Sequence, residues 1–96
     1  MSVTTTDDRK ILSPFDKREC ISLKEAAAIA GKSESTMRNW CVEHGLGRRI
    51  GGGFWMVSKV AMAMFLDGDM KALRAYHGGE RTDPCVIAYF ERLGLG

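Results

Sequence analysis

ISLKEAAAIAGKSESTMRNWCVEHGLGRRIGGGFWMV, residues 21–57, carries the punctuation of two short helices and a hairpin in immediate succession. Ser22-Leu23-Lys24-Glu25 has the form of a capping box, in which a serine hydroxyl accepts from the amide three residues on while the glutamate reaches back. The run Ala26-Ala27-Ala28-Ile29-Ala30 then favours helix and implies close approach of a second helix, and Gly31 supplies the left-handed residue that ends it. Ser33 repeats the N-cap signal two residues later, so the next helix follows a very short turn, as in a helix-turn-helix. On that second helix Met37, Trp40, Cys41 and His44 fall at i, i+3, i+4 and i+7, an inward stripe, which leaves Glu34, Ser35, Arg38, Asn39 and Val42 on the other side. Gly45 closes it. Residues 46–50 and 54–57 then read as two strands around a Gly51-Gly52-Gly53 tip, a small hairpin or wing.

Outward from this stretch, Ser58 caps a third helix over residues 59–66, with Val60, Ala61, Met64 and Phe65 turned to the core and Asp67-Gly68 ending it. Residues 69–76 are helix-compatible, with Met70, Leu73 and Tyr76 on one face, and His77-Gly78-Gly79 breaks the pattern. Asp83-Pro84 reads as an N-cap followed by proline at the first helical position. The helix beyond carries Val86, Ile87, Tyr89, Phe90 and Leu93, an apolar load that either folds back on the core or docks on another protein. Upstream, residues 1–18 lack periodicity and Ser13-Pro14 interrupts them, which reads as a flexible tail, with Phe15 and Ile21 as candidates to pack on the domain. The expected organisation is a tail over 1–18, a winged helix-turn-helix over 19–67 and a helical extension over 68–96. The expected fold class is α+β, mostly α, with a two-stranded wing and additional C-terminal helices.

Ninety-six residues allow one modest core. No apolar run approaches the roughly 18 residues of a membrane helix, and the opening MSVTTTDDRK is too polar for a secretory signal, so a cytoplasmic protein with no membrane association is expected. Three widely spaced cysteines, Cys20, Cys41 and Cys85, fit reduced thiols in a reducing compartment. Cys41 and His44 lie one turn apart, and His77, Cys85 or Cys20 would have to complete a zinc site. No CxxC or HxxxH pair supports one, so neither metal nor cofactor is expected. The three glycines lack the GxxxxGK[ST] spacing of a phosphate loop. No GxSxG elbow, HExxH helix or paired-carboxylate constellation is present either, which argues against an enzyme.

The formal net charge is only +2, but residues 32–59 hold five basic side chains against Glu34 and Glu43, a local excess of three on the second helix and hairpin. A helix braced by the one before it can enter the major groove of double-stranded DNA while the hairpin reaches a neighbouring groove or the backbone. Arg38 is the foremost candidate, since a guanidinium pairs bidentately with guanine or phosphate; Asn39 matches adenine. Ser35 is short enough to meet a base edge or a phosphate at the helix N-terminus. Arg48 and Arg49 alternate across a strand, so one of the two faces DNA. The full candidate set, with the turn and first helical residues, is Lys32, Ser33, Glu34, Ser35, Arg38, Asn39, Arg48 and Arg49.

These residues carry a resemblance. Leu23-Lys24-Glu25-Ala26-Ala27 with Gly31, then Ser33-x-x-Thr36-Met37-Arg38-x-Trp40, then the Arg-Ile-Gly-Gly-Gly-Phe-Trp hairpin look like the MerR-type winged helix-turn-helix of excisionases, the recombination directionality factors of prophages and integrative elements. The resemblance covers about half of the chain. It implies a small non-catalytic bacterial protein that binds DNA repeats beside an attachment site, bends the DNA and steers an integrase toward excision. Copies would align cooperatively along the DNA, with the C-terminal helices or wings in contact. It places Ser35, Arg38 and Asn39 in the major groove and Arg48 and Arg49 on the wing. The same domain occurs in MerR-type transcriptional regulators and small phage terminase subunits, so a regulator remains an alternative. So does a protein-interaction adaptor acting through the last helix.

Overall fold

The computed structural model describes residues 9–13 and 15–95. A 3-10 turn, Lys17–Glu19, leads into β1 (Cys20–Ser22), followed by α1 (Leu23–Ala30), α2 (Glu34–His44), β2 (Gly47–Arg49), β3 (Trp55–Ser58), α3 (Lys59–Leu66), α4 (Met70–His77) and α5 (Pro84–Arg92). The local signals act as expected. At α1 the Glu25 amide donates to Ser22 Oγ at 3.1 Å, the glutamate completes the capping box, and Gly31 ends the helix in the left-handed region at φ 70°. Ser58 Oγ caps α3 by accepting from the Ala61 amide at 3.1 Å, and Asp69 and Asp83 cap α4 and α5.

The wing is three-stranded rather than two-stranded. β3 is central, pairing antiparallel with β2 (Gly47↔Val57, Arg48↔Met56, Arg49↔Trp55) and with β1 (Cys20↔Ser58, Ile21↔Val57, Ser22↔Met56). β1 has only three residues, too few to show alternation, and it exists because β3 offers it an edge. The third strand ties the start of α1 to the hairpin after α2, which fixes the wing relative to the helices.

The segment read as a flexible tail is corrected where it is described. Ile11 and Leu12 are buried in the core, and residues 9–13 form a strap across three elements. Lys10 N–H donates to His77 O at 2.8 Å, and Leu12 N–H donates to Tyr76 Oη at 3.0 Å. The Arg81 guanidinium donates to Lys10 O (2.7 Å), Ser13 O (3.2 Å) and Tyr76 O (2.7 Å), and lies over the Tyr76 ring. Leu12 takes φ 53°, which costs a non-glycine residue about 1–2 kcal/mol. Full burial of its side chain, about 1.5–3 kcal/mol, offsets that cost. Residues 1–8 of the expected tail lie outside the described residues, while Phe15, a packing candidate, is exposed.

The C-terminal helices belong to the same core. Tyr76 of α4 is fully buried, and Val86 and Tyr89 of α5 pack into the cluster that also holds Met37, Val57 and Met64. Of the two fates open to α5, it folds back. Beneath the strap lies a buried polar knot: Tyr76 Oη donates to Glu19 Oε2, Ser58 Oγ donates to the same carboxylate oxygen at 3.2 Å, and Ser58 Oγ and Tyr76 Oη are 2.9 Å apart. Burial, and then the Glu19 carboxylate, push the Tyr76 phenol well above its usual range. The knot joins the 3-10 turn, the β3–α3 junction, α4 and the strap, and the Tyr76 hydroxyl of α4 meets each of the other three.

Candidate nucleic-acid interface

α2 is held from beneath by Met37 and Cys41, both buried, and burial lifts the Cys41 thiol to about 11. Trp40 is half-buried against Phe65 of α3, with ring centroids 5.1 Å apart. His44, expected in the inward stripe, is exposed, because what lies beside it is the half-buried Phe65, with ring centroids 4.6 Å apart. Among the described residues no group of three His, Cys, Asp or Glu side chains is placed to hold a metal ion, and no helix is long and apolar enough to cross a membrane.

The other side of α2 faces solvent. Ser35, Arg38, Asn39 and Val42 are all exposed and stand at i, i+3, i+4 and i+7, one continuous ridge. Arg38 and Asn39 make no hydrogen bond or ion pair with a described residue, so their donors are free to pair with base edges or phosphates. Glu34 begins the helix, where a carboxylate complements the dipole. Ser33 is not a free donor: its hydroxyl accepts from the Thr36 amide at 3.0 Å and donates to Thr36 Oγ1 at 3.0 Å, so its work is to start the helix. Lys32 is exposed in the turn, its Nζ 6.0 Å from the centroid of the Trp40 ring.

The two arginines of β2 have different surroundings. Arg48 is half-buried, and its guanidinium donates to Ile11 O at 2.7 Å and to Leu12 O at 3.0 Å. Arg48 thus acts as a strut that holds the strap to the wing. Arg49, opposite Trp55, is exposed. Between the end of α2 and the wing runs a groove of about 320 Å³ lined by Arg9, Val42, Arg48, Arg49 and Trp55 among others. Arg9 donates to Val42 O at 2.8 Å and Glu43 O at 3.3 Å, placing a cation at the negative end of the helix. Arg9 lies in the segment that reads as a tail and is absent from the candidate set. Its signal was the basic pair Arg9-Lys10 set directly before the apolar pair Ile11-Leu12.

The wing tip turns through Gly51 and Gly52 with φ 62° and 73°, closed by Gly53 N–H donating to Ile50 O at 3.1 Å. Positive φ at both central residues is the hairpin turn that matches strand twist, and glycine adopts it without steric cost. Phe54 follows the tip and is 84% exposed.

An uncommitted, partly basic helix ridge beside a rigid wing has the shape and charge to take up duplex DNA. A protein-family model described as a helix-turn-helix domain matches residues 20–70, which takes in the sheet and α1 to α3. No curated protein and no solved structure gave a significant match. With its helix-turn-helix and wing accounting for more than half of its residues, the chain belongs to the helix-turn-helix domain family, a DNA-binding class.

Proposed function

We propose that the protein is an excisionase-like architectural factor that binds double-stranded DNA near an attachment site and promotes integrase-mediated excision of a mobile element or prophage in a bacterial cytoplasm. The exposed ridge of α2, with Arg38 and Asn39 unpaired at its centre, is the observation that carries the DNA-binding part. In this reading Ser35, Arg38 and Asn39 meet base edges, Glu34 lies at the groove edge, and Lys32 and Arg49 meet phosphates. Ser33 and Arg48 keep the helix and wing in place. The excisionase part is supported by the motif likeness of residues 23–55 to that class. The protein performs no chemistry itself; the integrase does.

Copies would lie side by side on the DNA. Exposed Leu66, Met70 and Ile87 around α3, α4 and α5 offer the apolar surface for contact between them. The buried face of α5 makes an adaptor acting through that helix alone a poorer fit, since Val86 and Tyr89 are committed to the core. The test is a recombination assay with purified integrase and attachment-site DNA. Stimulated excision, lost in Arg38→Ala, supports the proposal. Promoter repression without any effect on excision would contradict it in favour of a transcriptional regulator built on the same surface.

A further inference from the structure

Phe54 has the most exposed large hydrophobic side chain among the described residues, at 84% against 63% for the next, Ile29. The three glycines before it carry no side chains, so the end of the hairpin is a narrow backbone loop bearing one aromatic ring. A Cβ added at Gly51 or Gly52 would meet nothing within 4 Å, so the tip stands clear of the body. The ring is nevertheless carried on ordered backbone: Ile50 N–H donates to Phe54 O at 3.0 Å, just outside the β2–β3 ladder.

Its position is equally specific. Gly53, Phe54 and Trp55 share a surface groove of about 470 Å³ with Glu34, the first residue of α2, and with Lys24 of α1. The ring therefore lies at the N-terminal end of the helix that carries Arg38, with exposed Lys24 in the same groove. An aromatic ring left in water on a slim glycine tip, with a lysine in the adjoining groove, suits the base stack of duplex DNA. The minor groove, about 6 Å wide, admits a bare backbone turn where it would refuse bulky side chains. Lys24 is then placed for a flanking phosphate.

We propose that Phe54 is an apolar wedge that enters the minor groove while α2 occupies the neighbouring major groove, partly unstacks one base step and kinks the duplex. The proposal rests on the DNA-binding reading above and assigns the bend to a residue. Contact with the ring replaces much of the stacking that is broken, so the wedge governs bend and step preference more than affinity. Pyrimidine–purine steps, which unstack most easily, are the expected insertion sites.

The experiment uses duplexes selected from a random-sequence library by the wild-type protein, end-labelled for energy transfer and carrying 2-aminopurine at successive positions. Wild type, Phe54→Ala and Phe54→Leu are compared at saturation. The wild type should bend its site by roughly 20–90° and raise 2-aminopurine emission at one step. Phe54→Ala should keep salt-sensitive affinity within about tenfold but lose more than half of the bend and the emission change, while Phe54→Leu, still apolar, keeps most of both. An unchanged melting temperature separates these losses from unfolding. Equal bends for wild type and Phe54→Ala overturn the wedge and leave DNA binding standing, whereas no salt-sensitive binding by the wild type overturns DNA binding itself. Loss of self-association in Phe54→Ala with the bend intact assigns the ring to a contact between copies and also overturns the wedge.

Discussion

Arg48→Ala and Arg49→Ala, neighbours on one short strand, should fail in different assays. Arg48 donates two charge-assisted hydrogen bonds to the carbonyls of Ile11 and Leu12, residues buried in the core. Hydrogen bonds of this kind are worth about 1.5–3 kcal/mol each, partly recovered when water reaches the carbonyls, so Arg48→Ala should cost about 2–4 kcal/mol. For a domain of this size each kcal/mol moves the melting temperature by about 4–8 °C, giving a fall of roughly 10–30 °C. Arg49, exposed on the wing, should cost less than about 0.5 kcal/mol when replaced. In DNA titrations over a salt series the pattern should reverse: Arg49→Ala lowers the slope of log K against log salt by about 0.9, the share of one phosphate, whereas folded Arg48→Ala keeps the wild-type slope. Thermal melts by circular dichroism and fluorescence anisotropy measure the two effects. An Arg48→Ala protein that melts like the wild type yet loses salt slope would refute the assignment of Arg48 as a strut.

Tyr76→Phe removes the hydroxyl that serves the Leu12 amide and the Glu19 carboxylate, leaving two buried polar groups short of a partner. The expected cost is about 2–4 kcal/mol in urea titration, and a loss under about 0.5 kcal/mol would show that the knot is not structural. The same tyrosine makes stability fall with alkali: its phenol is raised in the folded state, so the unfolded chain gives up its proton first, from about pH 10 upward. Buried Cys41, raised from 9.0 to about 11, acts in the same direction from about pH 9. The tyrosine contributes at most about 1.4 kcal/mol per pH unit, and Tyr76→Phe should flatten the slope above pH 10, as read from melts at pH 9, 10 and 11.

Much of the arrangement was written in short-range signals. Ser22, Ser33, Ser58 and Asp83 each cap the helix they announce, because a cap needs only a hydroxyl or carboxylate and an amide two or three residues away. The spacing of Met37, Cys41, Arg38 and Asn39 gave the buried and open sides of α2 for the same reason. What escaped was long-range. β1 is a strand only because β3, some 35 residues later, presents an edge, and residues 9–13 read as tail because their partners, Arg48, Tyr76, His77 and Arg81, lie 36 to 71 residues away in sequence. The Arg48-Arg49 pair shows the limit within the site. Alternation along the strand indicated that the two differ, but which one is engaged depended on a segment whose fold the local pattern did not reveal.

The ridge of α2 is the heart of the account, and equilibrium binding of wild type and Arg38→Ala to duplex DNA across a salt series tests it most directly. Phosphate contacts from Lys24, Lys32 and Arg49 would give each bound copy a log–log salt slope of roughly −3. Arg38→Ala should weaken binding to the selected site by about 1–3 kcal/mol, or roughly 5- to 150-fold, with relaxed sequence preference and an unchanged melting temperature. Binding that is absent, insensitive to salt, or the same with and without the Arg38 guanidinium would contradict the account.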